Sequence, residues 1–372
     1  MVNRILTVAL AAAFALQGTP SVEAQTSGRL LVVNKAEASL SVVDLAQGTE
    51  ITRIPTGNAP HEVAVSPDGQ IAVVTNYGSR AEPGNTLTVV DLATLEPVAD
   101  IDLGEQLRPH GIMWLPGTDR VAVTTEGSGT LTIVDVGSRS VIAAVPTDQR
   151  TSHQVSVTPD GKRAFVANIG SGSATVIDLE TMAAVKSIPT GSGAEGIAVS
   201  PDGKEVWVTN RAENTVSILD VGTLETLATL PSAEFPIRVV FTPSGNRALV
   251  TNARSAQLRV FDVASRREVV SIPIEAPVIE GRDQVIAFEG SPSPIGLLAD
   301  PDGRHAYVAT ASGDAVVVVD LEAGAVVDLI PVGKEPDGLA LVPGGIRSDG
   351  LASEIVSTMP SPLPRLPSRL AW

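Results

Sequence analysis

Apolar residues in this chain come in short unbroken runs. Leu30-Leu31-Val32-Val33, Val206-Trp207-Val208 and Val316 to Val319 are apolar in succession rather than alternating, the pattern of strands covered on both faces. Between runs stand turn-forming tetrapeptides: Ser66-Pro67-Asp68-Gly69, Thr158-Pro159-Asp160-Gly161, Ser200-Pro201-Asp202-Gly203 and Asp300-Pro301-Asp302-Gly303, with looser versions at Pro116, Pro243 and Pro343. Each phrase also carries an aspartate after an apolar run, at Asp44, Asp91, Asp135, Asp178, Asp220, Asp262 and Asp320. One supersecondary unit repeated at a period of about 42 residues is the mark of a repeat architecture.

The register is regular. His61, His110, His153, Glu195, Ile237, Ile295 and Asp337 occupy one equivalent position, here called the anchor. Fifteen residues after the first six come Asn76, Thr125, Asn168, Asn210, Asn252 and Thr310. Each unit reads as four short strands; in the fourth these are Gly196 to Ser200, Glu205 to Asn210, Thr215 to Leu219 and Leu224 to Leu230. A four-stranded sheet buried on both faces and repeated seven times predicts an all-β, seven-bladed β-propeller with antiparallel blades. The pattern starts in mid-unit with Leu30 to Asn34 and stops after one strand, Pro336 to Val342. Those two fragments complete one blade, so the C-terminal strand closes the ring and removes two open edges.

Residues 1–24 read as a secretory signal peptide, with Arg4, an apolar core from Ile5 to Gln17 and cleavage after Ala24. The propeller then occupies 25–345, and the Pro-rich residues 346–372 read as a disordered tail. A periplasmic or secreted protein is expected, with no membrane span, since about 20 apolar residues are needed to cross a bilayer. The absence of cysteine excludes disulfides, thiolate metal ligands and covalently attached c-type haem. A net charge of −16 disfavours nucleic acid and anionic membrane surfaces as partners.

Val74-Thr75-Asn76-Tyr77, Val166-Ala167-Asn168 and Val208-Thr209-Asn210, with the Ser-Pro-Asp-Gly turns, resemble the YVTN β-propeller repeat family over residues 28–345. That family is similar to a wider group holding lactonase-like, surface-layer and haem d1 propellers. The resemblance implies the architecture and leaves the activity open. Pro60-His61 and Pro109-His110-Gly111 resemble the Pro-His phrase of lactonase-type propellers, but Glu62 and Gly111 stand where some of those enzymes have a second histidine.

In a propeller the first strand of each blade lines the central channel, which places the anchors at one mouth. Loop-length variation falls on that same face: five extra residues around Ser79 to Gly84, two around Gly104 to Arg108, one near Asp148 and sixteen from Glu275 to Ser293. Loops of variable length on a rigid scaffold are where repeat proteins build binding sites. The long insert, with Glu280, Arg282, Asp283 and Glu289, reads as a lid over the channel. Three of the four histidines, His61, His110 and His153, are anchors of successive blades; as neutral imidazoles they suit Zn²⁺ or Cu²⁺. Glu195, Asp337, Glu126 and Arg211 complete the expected mouth, and Arg238 adds a cation one place past its anchor. The aspartates that end third strands read as turn caps.

Two functions follow. One is a binding or scaffold propeller holding a small acid, a metal ion or a protein partner at the top face. The other is a lactonase- or lyase-like enzyme with His61, His110 or His153 as base and Arg238 or a metal stabilising the oxyanion. A haem d1-like cofactor is a third possibility.

Overall fold

The computed structural model describes residues 28–279 and 286–343. The expected leader, the expected tail, and Glu280, Arg282 and Asp283 of the insert lie outside the described residues. Among those described, strands β1 to β28 form seven separate four-stranded antiparallel sheets, the seven-bladed propeller that the runs and turns predict. Blades 1 to 6 span 60–102, 109–146, 152–189, 194–231, 236–273 and 294–331 in order. Blade 7 joins Pro336–Pro343 to Gly28–Asn34, with Leu30 opposite Leu341 and Val32 opposite Leu339. Each blade's first strand touches the first strands of both neighbours, which makes a closed ring around a central channel.

Seven apolar clusters fill the seven gaps between blades. In blade 7, Leu31 and Val33 pack on blade 1, with Ala72 and Val74. Their sequence neighbours Leu30 and Val32 face the other way, onto Tyr307, Val316 and Val318 of blade 6. Alternate residues of one strand therefore feed two different interfaces, which is why the runs are apolar without alternation. Each fully buried Val, Leu or Ile contributes about 1.5–3 kcal/mol, so every blade interface is strong without disulfides.

The face away from the anchors is built from turns. Asp44 accepts from the backbone N–H groups of Ala46 and Gln47, Asp91 from Ala93 and Thr94, and Asp320 from Glu322 and Ala323. This backbone donation holds Asp91 and Asp320 below the usual carboxylate range. The aspartates are caps, as their position implies.

Candidate functional site at the channel mouth

Every first strand begins through the same backbone device. The residue two before each anchor is left-handed: Ala59, Arg108, Thr151, Gly193, Phe235, Ser293 and Glu335, with φ between 45° and 77°. Pro, Ser or Ala follows, and the pairing to the second strand then slips at the anchor in every blade. A bulge of this kind bends the strand and re-aims one side chain; here the re-aimed residue is the anchor. Hydroxyls of Thr75 and Thr124 fix the arrangement, donating to the His110 carbonyl at 2.9 Å and the His153 carbonyl at 2.5 Å. The histidine backbones thus tie blade to blade, and the rings stay available at the mouth.

The three rings are brought together. His61 and His110 have centroids 4.7 Å apart, His110 and His153 3.8 Å, and Tyr77 stacks on His61 at 4.5 Å. His153 is held at both nitrogens: Nδ1 against a carboxylate oxygen of Glu126, and Nε2 3.3 Å from Glu195. Tyr77 donates to the second oxygen of Glu126 at 2.5 Å, and Arg211 pairs with Glu195 at 2.6 Å. Burial alone would lower the His153 pKa, but Glu126 and Glu195 outweigh it and raise it to about 9. Burial, with Lys35 nearby, pushes His61 down to about 4. Burial and the two flanking histidines hold His110 well below the ordinary imidazole value. At neutral pH the mouth therefore shows one clamped imidazolium beside two neutral imidazoles. His61 keeps its Nδ1 on the Ala59 carbonyl at 2.9 Å. His110 is 4% exposed, and its Nδ1 is buried without a hydrogen-bond partner among the described residues.

One residue past the anchors lies a second layer. In blades 1, 3 and 5 these residues are Glu62, Gln154 and Arg238, and they meet across the channel. Gln154 donates to Glu62 Oε1 at 2.6 Å, and Arg238 reaches the same oxygen at 2.5 Å. Asp337 stands 3.6 Å from Arg238 and 3.3 Å from Lys35. Burial raises the Glu62 carboxyl, against the opposing pull of Arg238, while Lys35, His61 and Arg238 together outweigh burial and lower Asp337. The other four blades carry Gly111, Gly196, Gly296 and Gly338 here; a Cβ at any of them would collide with the next blade's anchor carbonyl. This cross-brace beneath the histidines pairs Arg238 with both Glu62 and Asp337. Sequence reasoning placed Arg238 at the mouth but overlooked Glu62, Gln154 and Lys35 as partners in this brace. The alternation of long polar residues with glycine at that position was the available signal.

The remaining arc of the mouth is apolar. Ile237, Ile295, Ala253 and Ala311 are buried under Phe235, Ile286 and Phe288. The insert supplies two of these covers and is tied down by Ile279 N–H to the Ser312 carbonyl and Ser291 to the Ala253 carbonyl. Its described part seats on blades 5 and 6. Around the rim, Arg108, Arg211 and Arg254 lie over Tyr77, Phe235 and Phe288, 5.1, 5.2 and 4.7 Å from the ring centroids. Glu126, expected at a pocket's border, is turned inward onto His153. His305 is on the opposite face, 17% exposed, its Nδ1 3.2 Å from Asp300.

A YNCE-like beta-propeller family model matches residues 113–278. The chain is a β-propeller. No curated protein matches its sequence. Among solved structures it is similar to hydrazine synthase from Kuenenia stuttgartiensis, at 19% identity and TM-score 0.66, over 82% of this chain and 99% of that one. A functionally unknown protein from Desulfotomaculum acetoxidans is similar at 16% identity and TM-score 0.69, over 85% of this chain and 99% of that one. At such identities the likeness concerns the fold alone.

Proposed function

We propose that this protein is a periplasmic or secreted binding propeller of the YVTN type that holds a small acidic ligand at the upper mouth of its channel. One observation carries the reading: four successive blades bring the polar side chains of His61, His110, His153 and Glu195 to one spot, where the buried His110 retains a ring nitrogen with no hydrogen-bond partner among the described residues. Such a group is costly to bury unless something external satisfies it. The rim arginines Arg108 and Arg254, over Tyr77 and Phe288, favour an anionic visitor. The test is calorimetric titration of the mature chain with a panel of short aliphatic and aromatic carboxylic acids. Saturable binding weakened at least tenfold by His110→Ala supports the reading; binding indifferent to that change overturns it.

A lactonase- or lyase-like activity is the second reading, favoured by the neutral His61, oriented through Ala59 and able to accept a proton at Nε2. Arg238 serves it poorly as an oxyanion partner, because Glu62 and Asp337 already neutralise it. Turnover of a lactone panel that disappears in His61→Ala would favour the enzyme over the binding protein.

A further inference from the structure

We propose that His110, His153 and Glu126 form a site for a divalent transition metal of the zinc or copper class. The inference deepens the mouth reading and rests on it. One ligand atom from each of the three lies within 4.8 Å of the others. Tetrahedral zinc, with bonds of about 2.0–2.2 Å, spaces its ligands by about 3.4 Å, so the three close on an ion by modest side-chain rotation. A second observation is independent of this clustering: the Nδ1 of the almost fully buried His110 has no hydrogen-bond partner among the described residues, although buried ring nitrogens are ordinarily satisfied.

The surroundings match what metal ligands need. A metal-binding histidine commonly donates its other N–H to a carboxylate, and its carboxylate neighbours are themselves hydrogen-bonded. His153 Nδ1 faces Glu126, while its Nε2 faces Glu195, which Arg211 holds at 2.6 Å. Tyr77 holds the oxygen of Glu126 that faces away from His153. An ion at the His153–Glu126 contact replaces the hydrogen between them and leaves both supports in place. Two imidazoles and one carboxylate make three protein ligands, so a fourth position stays open for water or for the carboxylate of a bound acid. His61 stacks against His110 one ring further along and belongs to the wall of the site, whereas the sequence alone suggested it as the third ligand. The other such group among the described residues, Asp300, Asp302 and His305, lies on the opposite face and supplies an internal control.

The experiment is titration of chelator-stripped mature protein with Zn²⁺ and with Cu²⁺, by calorimetry and by elemental analysis after gel filtration. The parent, Glu126→Gln, His110→Ala, Tyr77→Phe and His305→Ala are compared. One equivalent per chain is expected in the parent and in His305→Ala. Affinity should fall at least 100-fold in Glu126→Gln, which keeps the side chain's shape, and about tenfold in Tyr77→Phe. Circular dichroism identifies any variant that fails to fold, and the Glu126→Gln and Tyr77→Phe results stand even if His110→Ala does. Binding retained in Glu126→Gln, or lost with His305, overturns the inference. No metal binding in a parent that still takes up an acid in a His110-dependent way overturns the metal and leaves the proposed function standing. Failure of both acids and metals removes both.

Discussion

The two arcs of the channel mouth share one backbone and differ in everything mounted on it. Blades 1 to 4 and blades 5 to 6 start their first strands through the same left-handed residue and the same bulge. On the first arc the re-aimed anchors are His61, His110, His153 and Glu195, and their side chains meet one another. On the second they are Ile237 and Ile295, roofed by Phe235, Ile286 and Phe288. The scaffold fixes where an anchor points, and the residue type fixes whether that point becomes a site or a plugged wall. Duplicated units can thus carry one geometry into opposite uses.

Breaking the brace that both arcs share should have the largest effect. Arg238→Ala leaves Glu62 without its buried cation and should cost about 3–5 kcal/mol in chemical denaturation. The double variant Glu62→Gln/Arg238→Met should recover most of that loss; no recovery would mean that the pair is not the source. On the apolar arc, Ile295→Ala should cost about 2–5 kcal/mol, as a buried side chain is removed under a fixed roof, while ligand affinity stays within twofold. A tenfold loss of affinity there would erase the distinction between arcs.

The polar arc predicts a two-sided pH dependence of stability, measured on chelated protein. His153 has its pKa raised to about 9, so its contribution is fully present below the unfolded value of about 6.5 and is lost as pH climbs through about 9. His61 is depressed to about 4, so the folded form loses stability as pH falls from about 6.5 through about 4. Each limb should amount to about 2–4 kcal/mol. His153→Gln should flatten the alkaline limb alone, and His61→Gln should reduce the acid limb. Limbs unchanged in both variants would place the titration elsewhere. The smallest effect expected is that of Tyr77→Phe, about 1.5 kcal/mol for one hydrogen bond to a carboxylate.

Much of this was legible in the sequence. Unbroken apolar runs, Pro-Asp-Gly turns and the spacing of fifteen residues from anchor to Asn identify blades because each feature is local. The clustering of His61, His110 and His153 was legible too, since identical positions in a closed ring must face one another. The cross-brace was not: Glu62 and Arg238 are 176 residues apart and meet only because the ring closes. Glu126 reads as a rim charge because nothing local shows that its loop folds inward onto His153. Asn76 accepts from the Gly57 N–H of the adjacent loop at 3.1 Å, and Asn76 and Asn210 also reach hydroxyls of the neighbouring third strand, a pairing that depends on strand register. His305 is less exposed than its turn suggests, because Asp300 stands where four other turns carry Ser or Thr.

The most direct test of the central claim compares thermal melting of the parent, His110→Ala and Ile295→Ala, each with and without a bound carboxylic acid or Zn²⁺. A ligand at 100 times its dissociation constant stabilises the folded state by about 2.7 kcal/mol. The account predicts that shift in the parent and in Ile295→Ala and its collapse in His110→Ala. An equal shift in all three proteins, or a shift lost only in Ile295→Ala, would contradict it.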